Sequence, residues 1–263
     1  MSSGPALAHD DRGSGRAIVL IHGHPFNRGM WAPQLDSLAG DFRVVAPDLP
    51  GYGASPQRGA RITMRELADA VLELVDELGI ARATVVGLSM GGLVAMELAL
   101  ARPDRVDGLV LAATTAAPVT PEEAQERRGL AADIEKNGML SAALGMAARL
   151  FGPSASKDPA LVEAVFAMMI HTPPAGAAAA LRGRAERPDY SRLLSDLRVP
   201  SLVVAGDADS YAPAPVTDQL VASLPAPEVV RLPGVGHLPN LEAPERFDAA
   251  LRAFVSRVGV KAA

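Results

Sequence analysis

A serine, a histidine and an aspartate in this chain stand in surroundings that would let them act together. Ser89 is the centre of Gly87-Leu88-Ser89-Met90-Gly91. A serine hydroxyl is a poor nucleophile at neutral pH; it needs a base to take its proton and a third group to orient that base. The chain has five histidines, His9, His22, His24, His171 and His237. His237 is the best base among them. It sits in the glycine-rich stretch Leu232-Pro233-Gly234-Val235-Gly236-His237-Leu238-Pro239, a loop directly after a strand-like run. Two acids follow another strand-like run, in Gly206-Asp207-Ala208-Asp209. Asp209 lies further into its loop and has more reach, whereas Asp207, at the strand end, suits local turn hydrogen bonds. Acyl transfer also requires donors for the developing oxyanion. The backbone N–H of Met90 is one. The loop His22-Gly23-His24-Pro25-Phe26 offers the other through His24 N–H.

These residues need elements to hold them. Val85-Val86 runs into the serine pentapeptide, and Leu93 to Ala99 favours a helix. Strand, sharp turn and helix in that order form a nucleophile elbow, with serine forced into a strained backbone region. The helix behind it turns free N–H groups and a positive dipole end towards an oxyanion. Buried strands are expected at Ala17–Ile21, Phe42–Pro47, Ala83–Leu88, Val106–Ala113, Ser201–Ala205 and Glu228–Leu232, with a short one at Ala6 to Asp10 and a turn from Asp11 to Arg16. Thr63 and Glu66 form a capping box ahead of a helix whose apolar face is Leu67, Val71, Leu74, Val75 and Leu78. An amphipathic helix from about Pro244 to Val258 closes the chain.

Strands alternating with helices predict an α/β fold, a doubly wound and mostly parallel sheet of about seven to eight strands. Residues 117–195 break the alternation with helical stretches and no convincing strand. They are expected to form a helical cap (lid) over the carboxyl edge of the sheet, and residues 1–116 and 196–263 the core. Pocket-lining candidates are Phe26, Met139, Met146, Phe151, Phe166, Met169, His171 and Leu238. Most of the lid's apolar residues are expected to pack the lid onto the core. Glu122, Glu123, Arg127 and Arg128 read as a solvated helix face.

Bulk properties narrow the function further. The net charge of −5 is mild and without a basic stripe, so no nucleic-acid partner is expected. There are no cysteines, which removes thiolate catalysis, disulfides and cysteine-based zinc sites. His22-Gly23-His24 has metal-like spacing, but the third ligand a hydrolytic zinc site needs does not follow, so neither a metal nor a cofactor is expected. No apolar run reaches the roughly 20 residues that span a bilayer. Met1-Ser2-Ser3-Gly4-Pro5 lacks the features of a signal peptide, and a cytoplasmic protein without membrane insertion is expected.

Taken together, the pieces resemble the α/β-hydrolase family over essentially the whole chain. The matching segments are His22-Gly23-His24-Pro25 with Met30-Trp31, Asp48-Leu49-Pro50-Gly51-Tyr52-Gly53-Ala54-Ser55, Gly87 to Gly92, Gly206 to Asp209, and Gly236-His237-Leu238-Pro239-Asn240-Leu241-Glu242. Within the family the chain is similar to the small esterase, enol-lactonase and cofactor-free haloperoxidase-like branch. The resemblance implies Ser89 as nucleophile, Asp209 as acid, His237 as base, and the His24 and Met90 amides as oxyanion donors. It also implies a β-hairpin before the Ala17 strand, for which little chain is present. Family members that open haloalkanes or epoxides use aspartate at the elbow, so serine points to an ester, thioester, lactone or activated C–C bond. The leading expectation is hydrolysis of small to medium esters or lactones. Perhydrolysis, C–C cleavage and acyl transfer would use the same triad, and a non-hydrolytic ligand-binding or lyase-type protein would not. The His24 side chain serves as pocket wall or as contact to a polar substrate group.

Overall fold

The computed structural model describes residues 7–153 and 155–258. Seven strands form one sheet: β1 (His9–Arg12), β2 (Ala17–Ile21), β3 (Arg43–Pro47), β4 (Ala83–Leu88), β5 (Val106–Ala112), β6 (Ser201–Gly206) and β7 (Glu228–Leu232). Their spatial order is β1-β3-β2-β4-β5-β6-β7. Only β1 runs antiparallel to its neighbour; the other pairs are parallel. Parallel strands in one sheet require crossovers, and helices supply them. These are α1 (Ala32–Leu38), α2 (Met64–Glu77), α3 (Met90–Ala101) and, between β6 and β7, α9 (Ala214–Ala222). Five helices lie between β5 and β6: α4 (Pro121–Asn137), α5 (Leu140–Leu150), α6 (Pro159–Ile170), α7 (Pro174–Arg184) and α8 (Tyr190–Leu193). The short α10 (Pro239–Glu242) and the long α11 (Pro244–Val258) close the chain.

Alternate residues of each strand point to opposite faces, and both faces are covered. Val19, Ile21, Val85, Leu109, Leu111 and Val203 enter a core shared with α2 and α3. Ile18, Leu20, Val86, Val110, Leu202 and Val204 enter a second core with α1 and α11. The continuous apolar runs of β2 and β4 are therefore buried at every position. The capping box at Thr63 is complete, with Glu66 N–H donating to the threonine hydroxyl and the glutamate accepting from Thr63 N–H.

The first strand lies later than the sequence predicts. It covers His9–Arg12 rather than Ala6 to Asp10, and Ala6 falls outside the described residues. Antiparallel pairing with β3 takes Asp11 and Arg12 out of the expected turn, and Asp11 pairs with Arg43 of β3. Helix α9 starts without a side-chain cap, Pro213 standing at its N-cap, and Pro215 in its first turn is the signal that marks it. Three of the five inserted helices, α4, α5 and α7, share a small core of their own, made by Ala131, Ile134, Met139, Ala142, Ala177, Ala178 and Leu181. Among the described residues no single helix is long and apolar enough to cross a membrane.

Candidate active site

Ser89 joins β4 to α3 with φ 54° and ψ −114°. A non-glycine residue at positive φ stores backbone strain, of order 1–3 kcal/mol, and the surroundings must hold it there. Three bonds do so. Ser89 N–H donates to Ala112 O at 2.9 Å, and Ser89 O accepts from Gly92 N–H at 3.0 Å and from the Thr114 hydroxyl at 2.7 Å. The turn is tight enough to dictate its glycines. A Cβ on Gly87 would stand 2.2 Å from Gly91 O, and one on Gly91 would stand 2.1 Å from Ile21 O. Met90 is the first residue of α3, where an amide has no partner inside the helix.

The loop after β2 lies against this turn. A Cβ on Gly23 would stand 3.1 Å from Leu88 O and 3.3 Å from Ser89 Cβ. The bond between His24 and Pro25 is cis. His22 is fully buried and works as a structural imidazole: Leu49 N–H donates to its Nε2 at 2.9 Å, so Nδ1 carries the hydrogen and donates to Gly23 O at 2.9 Å. Burial holds its pKa down at about 4, against the opposing pull of the Gly23 carbonyl and Asp48. His24 Nδ1 and the Tyr52 hydroxyl are hydrogen-bonded at 2.8 Å, and Nε2 is buried without a partner. Burial first, then the neighbouring Arg184 and His22, hold the His24 pKa well below the ordinary value. Asp48 fixes the loop that carries Tyr52 by accepting from Arg28 N–H and Ala54 N–H, both at 2.8 Å, and by pairing with the Arg28 guanidinium.

His237 and Asp209 meet at the ends of β7 and β6. His237 Nδ1–H donates to Asp209 Oδ2 at 2.8 Å, and both residues are buried. The other carboxylate oxygen of Asp209 accepts from Tyr211 N–H at 2.8 Å and Ala212 N–H at 3.0 Å. Burial pushes the Asp209 pKa up, but the His237 hydrogen bond and charge and the two amides outweigh it and hold the pKa below the ordinary value. With Nδ1 committed, Nε2 is the imidazole's free acceptor. Asp207 instead accepts from Gly234 N–H at 2.6 Å, a local loop bond. A second acid, Glu242, organises the histidine loop: it accepts from Gly152 N–H at 2.8 Å, Gly236 N–H at 2.9 Å and Leu238 N–H at 3.0 Å. His237 N–H donates to Leu150 O at 2.7 Å.

Ser89, His237 and His24 line one cavity of about 500 Å³, roofed by the inserted helices. Of the expected pocket residues only Met146 lines it. Phe26, Met169 and Leu238 are fully buried in the sheet–helix core, with Phe151 and Phe166 packed against it, and Met139 belongs to the insert's own core. His171 is exposed, its Nδ1–H donating to Ala167 O at 2.7 Å. Tertiary packing turns these apolar side chains, in loops as well as on helices, onto core partners, so apolar character alone does not mark a pocket residue. The helix face around Glu122 splits: Glu122 and Arg128 are exposed, but Glu123 and Arg127 line the cavity.

The cavity carries more charge than the sequence suggests. Arg127, Arg149, Arg184 and Arg187 line it, against Glu123 and Glu126. Arg149 is spent on Tyr211, lying 4.5 Å over its ring and donating to Ser210 O at 3.2 Å. The Tyr211 ring in turn lies 5.0 Å from that of His237. The available signal for Arg184 and Arg187 was weak: two arginines three apart at the end of a helix, a position that equally suits a helix dipole.

The alpha/beta hydrolase fold family matches residues 16–244. The chain is 30% identical over 249 residues to a pimeloyl-[acyl-carrier protein] methyl ester esterase of Yersinia enterocolitica, covering 91% of this chain and 93% of that one. It is also 30% identical over 247 residues to 3-oxoadipate enol-lactonase 1 of Acinetobacter baylyi, covering 92% of this chain and 89% of that one. A malate-bound thermophilic esterase from Thermogutta terrifontis superposes with a TM-score of 0.94 at 38% identity, over 97% of this chain and 94% of that one. A serine at a strained strand–helix turn, a histidine–aspartate pair on neighbouring strand ends and these full-length likenesses agree: the chain belongs to the α/β-hydrolase fold family, and within it is similar to small esterases and enol-lactonases.

Proposed function

We propose that the chain is a serine hydrolase of small to medium carboxylic esters or lactones, working through an acyl-enzyme on Ser89. The observation that carries this reading is the His237–Asp209 pair, at 2.8 Å, opening onto the same cavity as the strained Ser89. Ser89 Oγ attacks the substrate carbonyl carbon while its proton passes to His237 Nε2. The carbonyl π electrons move onto oxygen, which the amides of His24 and Met90 receive. The tetrahedral intermediate collapses, the C–O bond to the leaving group breaks, and the departing alkoxide takes the proton from His237. In a lactone the alkoxide stays tethered. Water then adds to the acyl carbon, giving its proton to His237, and Ser89 leaves with that proton restored. Asp209 keeps its charge throughout, fixes the tautomer and stabilises the imidazolium. Residues 117–195 act as the cap that walls this site from water, on the core formed by 1–116 and 196–263. The likeness to a methyl ester esterase and to an enol-lactonase supports ester and lactone substrates.

Replacing the nucleophile tests the reading. Ser89→Ala is expected to lower kcat on a p-nitrophenyl ester by at least ~10⁴-fold with unchanged circular dichroism. A fluorophosphonate should add covalently to Ser89 in the wild-type chain and to nothing in the variant. Turnover near the wild-type level in Ser89→Ala would overturn the assignment.

A further inference from the structure

Two arginines in the cavity wall hold cationic atoms that nothing in the protein satisfies. Arg187 is 7% exposed; it donates to Ala117 O at 3.1 Å, while its Nε and Nη1 are buried without a hydrogen-bond partner. Arg184, partly buried, also has a buried Nε without a partner, and among the described residues its side chain makes no hydrogen bond or ion pair. The third member of the cluster is Arg127, whose charge both others feel and whose own partner is Glu123 at 3.3 Å. A buried charge left unpaired costs several kcal/mol, and like charges side by side add to that cost. Burial, Arg127 and Arg187 lower the Arg184 pKa to about 9, which leaves it protonated at neutral pH.

The cluster is also fixed relative to the sheet. Helix α7, which ends at Arg184, presses its backbone onto the core. A Cβ on Gly176 would stand 1.8 Å from Gly51 O, and one on Gly183 would stand 1.8 Å from Ile62 O. Ile62 N–H donates to Ala179 O at 3.2 Å. Arg184 is thereby held beside Tyr52 and His24, whose titrations it perturbs, and so beside the loop that touches Ser89. The cavity has four arginines against two glutamates, in a chain whose net charge is −5. The local sign therefore opposes that of the whole molecule.

We infer that Arg184 and Arg187 bind a carboxylate on the substrate, distinct from the carbonyl under attack, so that the preferred substrates are esters or lactones of small dicarboxylic acids. A guanidinium presents a planar fork of N–H donors that matches a carboxylate; the anion would sit on the terminal nitrogens of Arg184, which have no partner among the described residues, and would offset the charge of Arg187. The cavity volume suits a ligand of this size. This substrate class rests on the serine-hydrolase reading above, but the anion site itself does not.

Binding and turnover are therefore measured separately. Calorimetry on the Ser89→Ala protein with glutarate and with neutral glutaramide reads the anion site without chemistry. Glutarate is expected to bind at least ~10-fold more tightly, and Arg184→Gln or Arg187→Gln to remove at least ~10-fold of that affinity. Arg184→Lys, which keeps the charge and loses the fork, should fall between. If a glutamine variant does not fold, the other variants carry the same comparison. In turnover, mono-p-nitrophenyl glutarate is compared with its methyl-capped diester. The wild-type chain should favour the free acid in kcat/KM by at least ~10-fold, and either glutamine variant should shrink that ratio, which cancels general damage to the enzyme. Equal binding of glutarate and glutaramide, or a preference untouched by the variants, overturns the anion site. Glutarate binding that depends on Arg184 without hydrolysis of either ester would uphold the site and overturn the serine-hydrolase reading instead.

Discussion

The two sides of the cavity treat polar atoms in opposite ways. On the sheet side the groups are committed, His24 Nε2 excepted. Asp209 accepts from His237, Tyr211 and Ala212, His22 uses both ring nitrogens, and Glu242 collects three amides. On the side of the inserted helices, Arg184 and Arg187 keep buried nitrogens without partners. The first arrangement is finished before any ligand arrives; reacting groups placed this way need little reorganisation. The second is incomplete alone. On the proposed reading a ligand completes it, so that orientation is invested in the strand ends and discrimination in the insert.

Breaking the sheet side should have the larger effect. Asp209→Asn leaves the shape of the site but loses the charge that fixes the His237 tautomer, and is expected to lower kcat on a neutral ester by roughly 10³–10⁴-fold. Steady-state kinetics checks this, and a loss under about 10-fold would show that the pair does not orient the base. The next effect concerns how the insert is seated. Gly176→Ala puts a methyl 1.8 Å from Gly51 O and should cost about 1–3 kcal/mol in urea unfolding. Gly129→Ala, on α4 with nothing within 4 Å, should instead stabilise by roughly 0.5–1 kcal/mol. Equal responses would mean that the insert does not depend on the backbone contact with the core.

The last effect is a slope. His22 is held neutral in the folded state down to about 4, while an unfolded histidine takes its proton near ~6.5. Between those values the unfolded chain binds one more proton than the folded one. Stability is therefore complete above the unfolded value and falls as the pH drops towards 4, by about 1.4 kcal/mol per pH unit from His22. Urea unfolding between pH 6.5 and 4.5 measures it, and His22→Gln should flatten the slope by that amount.

The parts of the molecule that were legible in the sequence are those where the backbone itself restricts the residue. Gly87 and Gly91 mark a crossing that a Cβ would block, and the runs of β2 and β4 mark strands covered on both faces. His237 and Asp209 could be placed because loops at strand ends converge on one edge of a parallel sheet. The insert was legible as helical but not as a lining. Met169 is an apolar residue on a helix, and so is Met146; only the packing of one helix on another decides which faces the cavity. Arg184 and Arg187 were hidden for a related reason, since a cation near a helix end looks the same in sequence whether water or a cavity surrounds it. The first strand was displaced because pairing with β3, a long-range event, set its limits.

Glu242 has one more implication. Its carboxylate holds Gly152, just beyond α5, together with Gly236 and Leu238 on either side of His237, and Leu150 O holds the His237 amide. A connection in the middle of the insert, between α5 and α6, and the perch of the imidazole thus share one anchor. If the Leu150–Gly152 segment swings away, the histidine loop loses an amide tie and a carbonyl tie in the same movement. Displacing that segment would unset the imidazole, so the seating of the insert and the readiness of the base are linked.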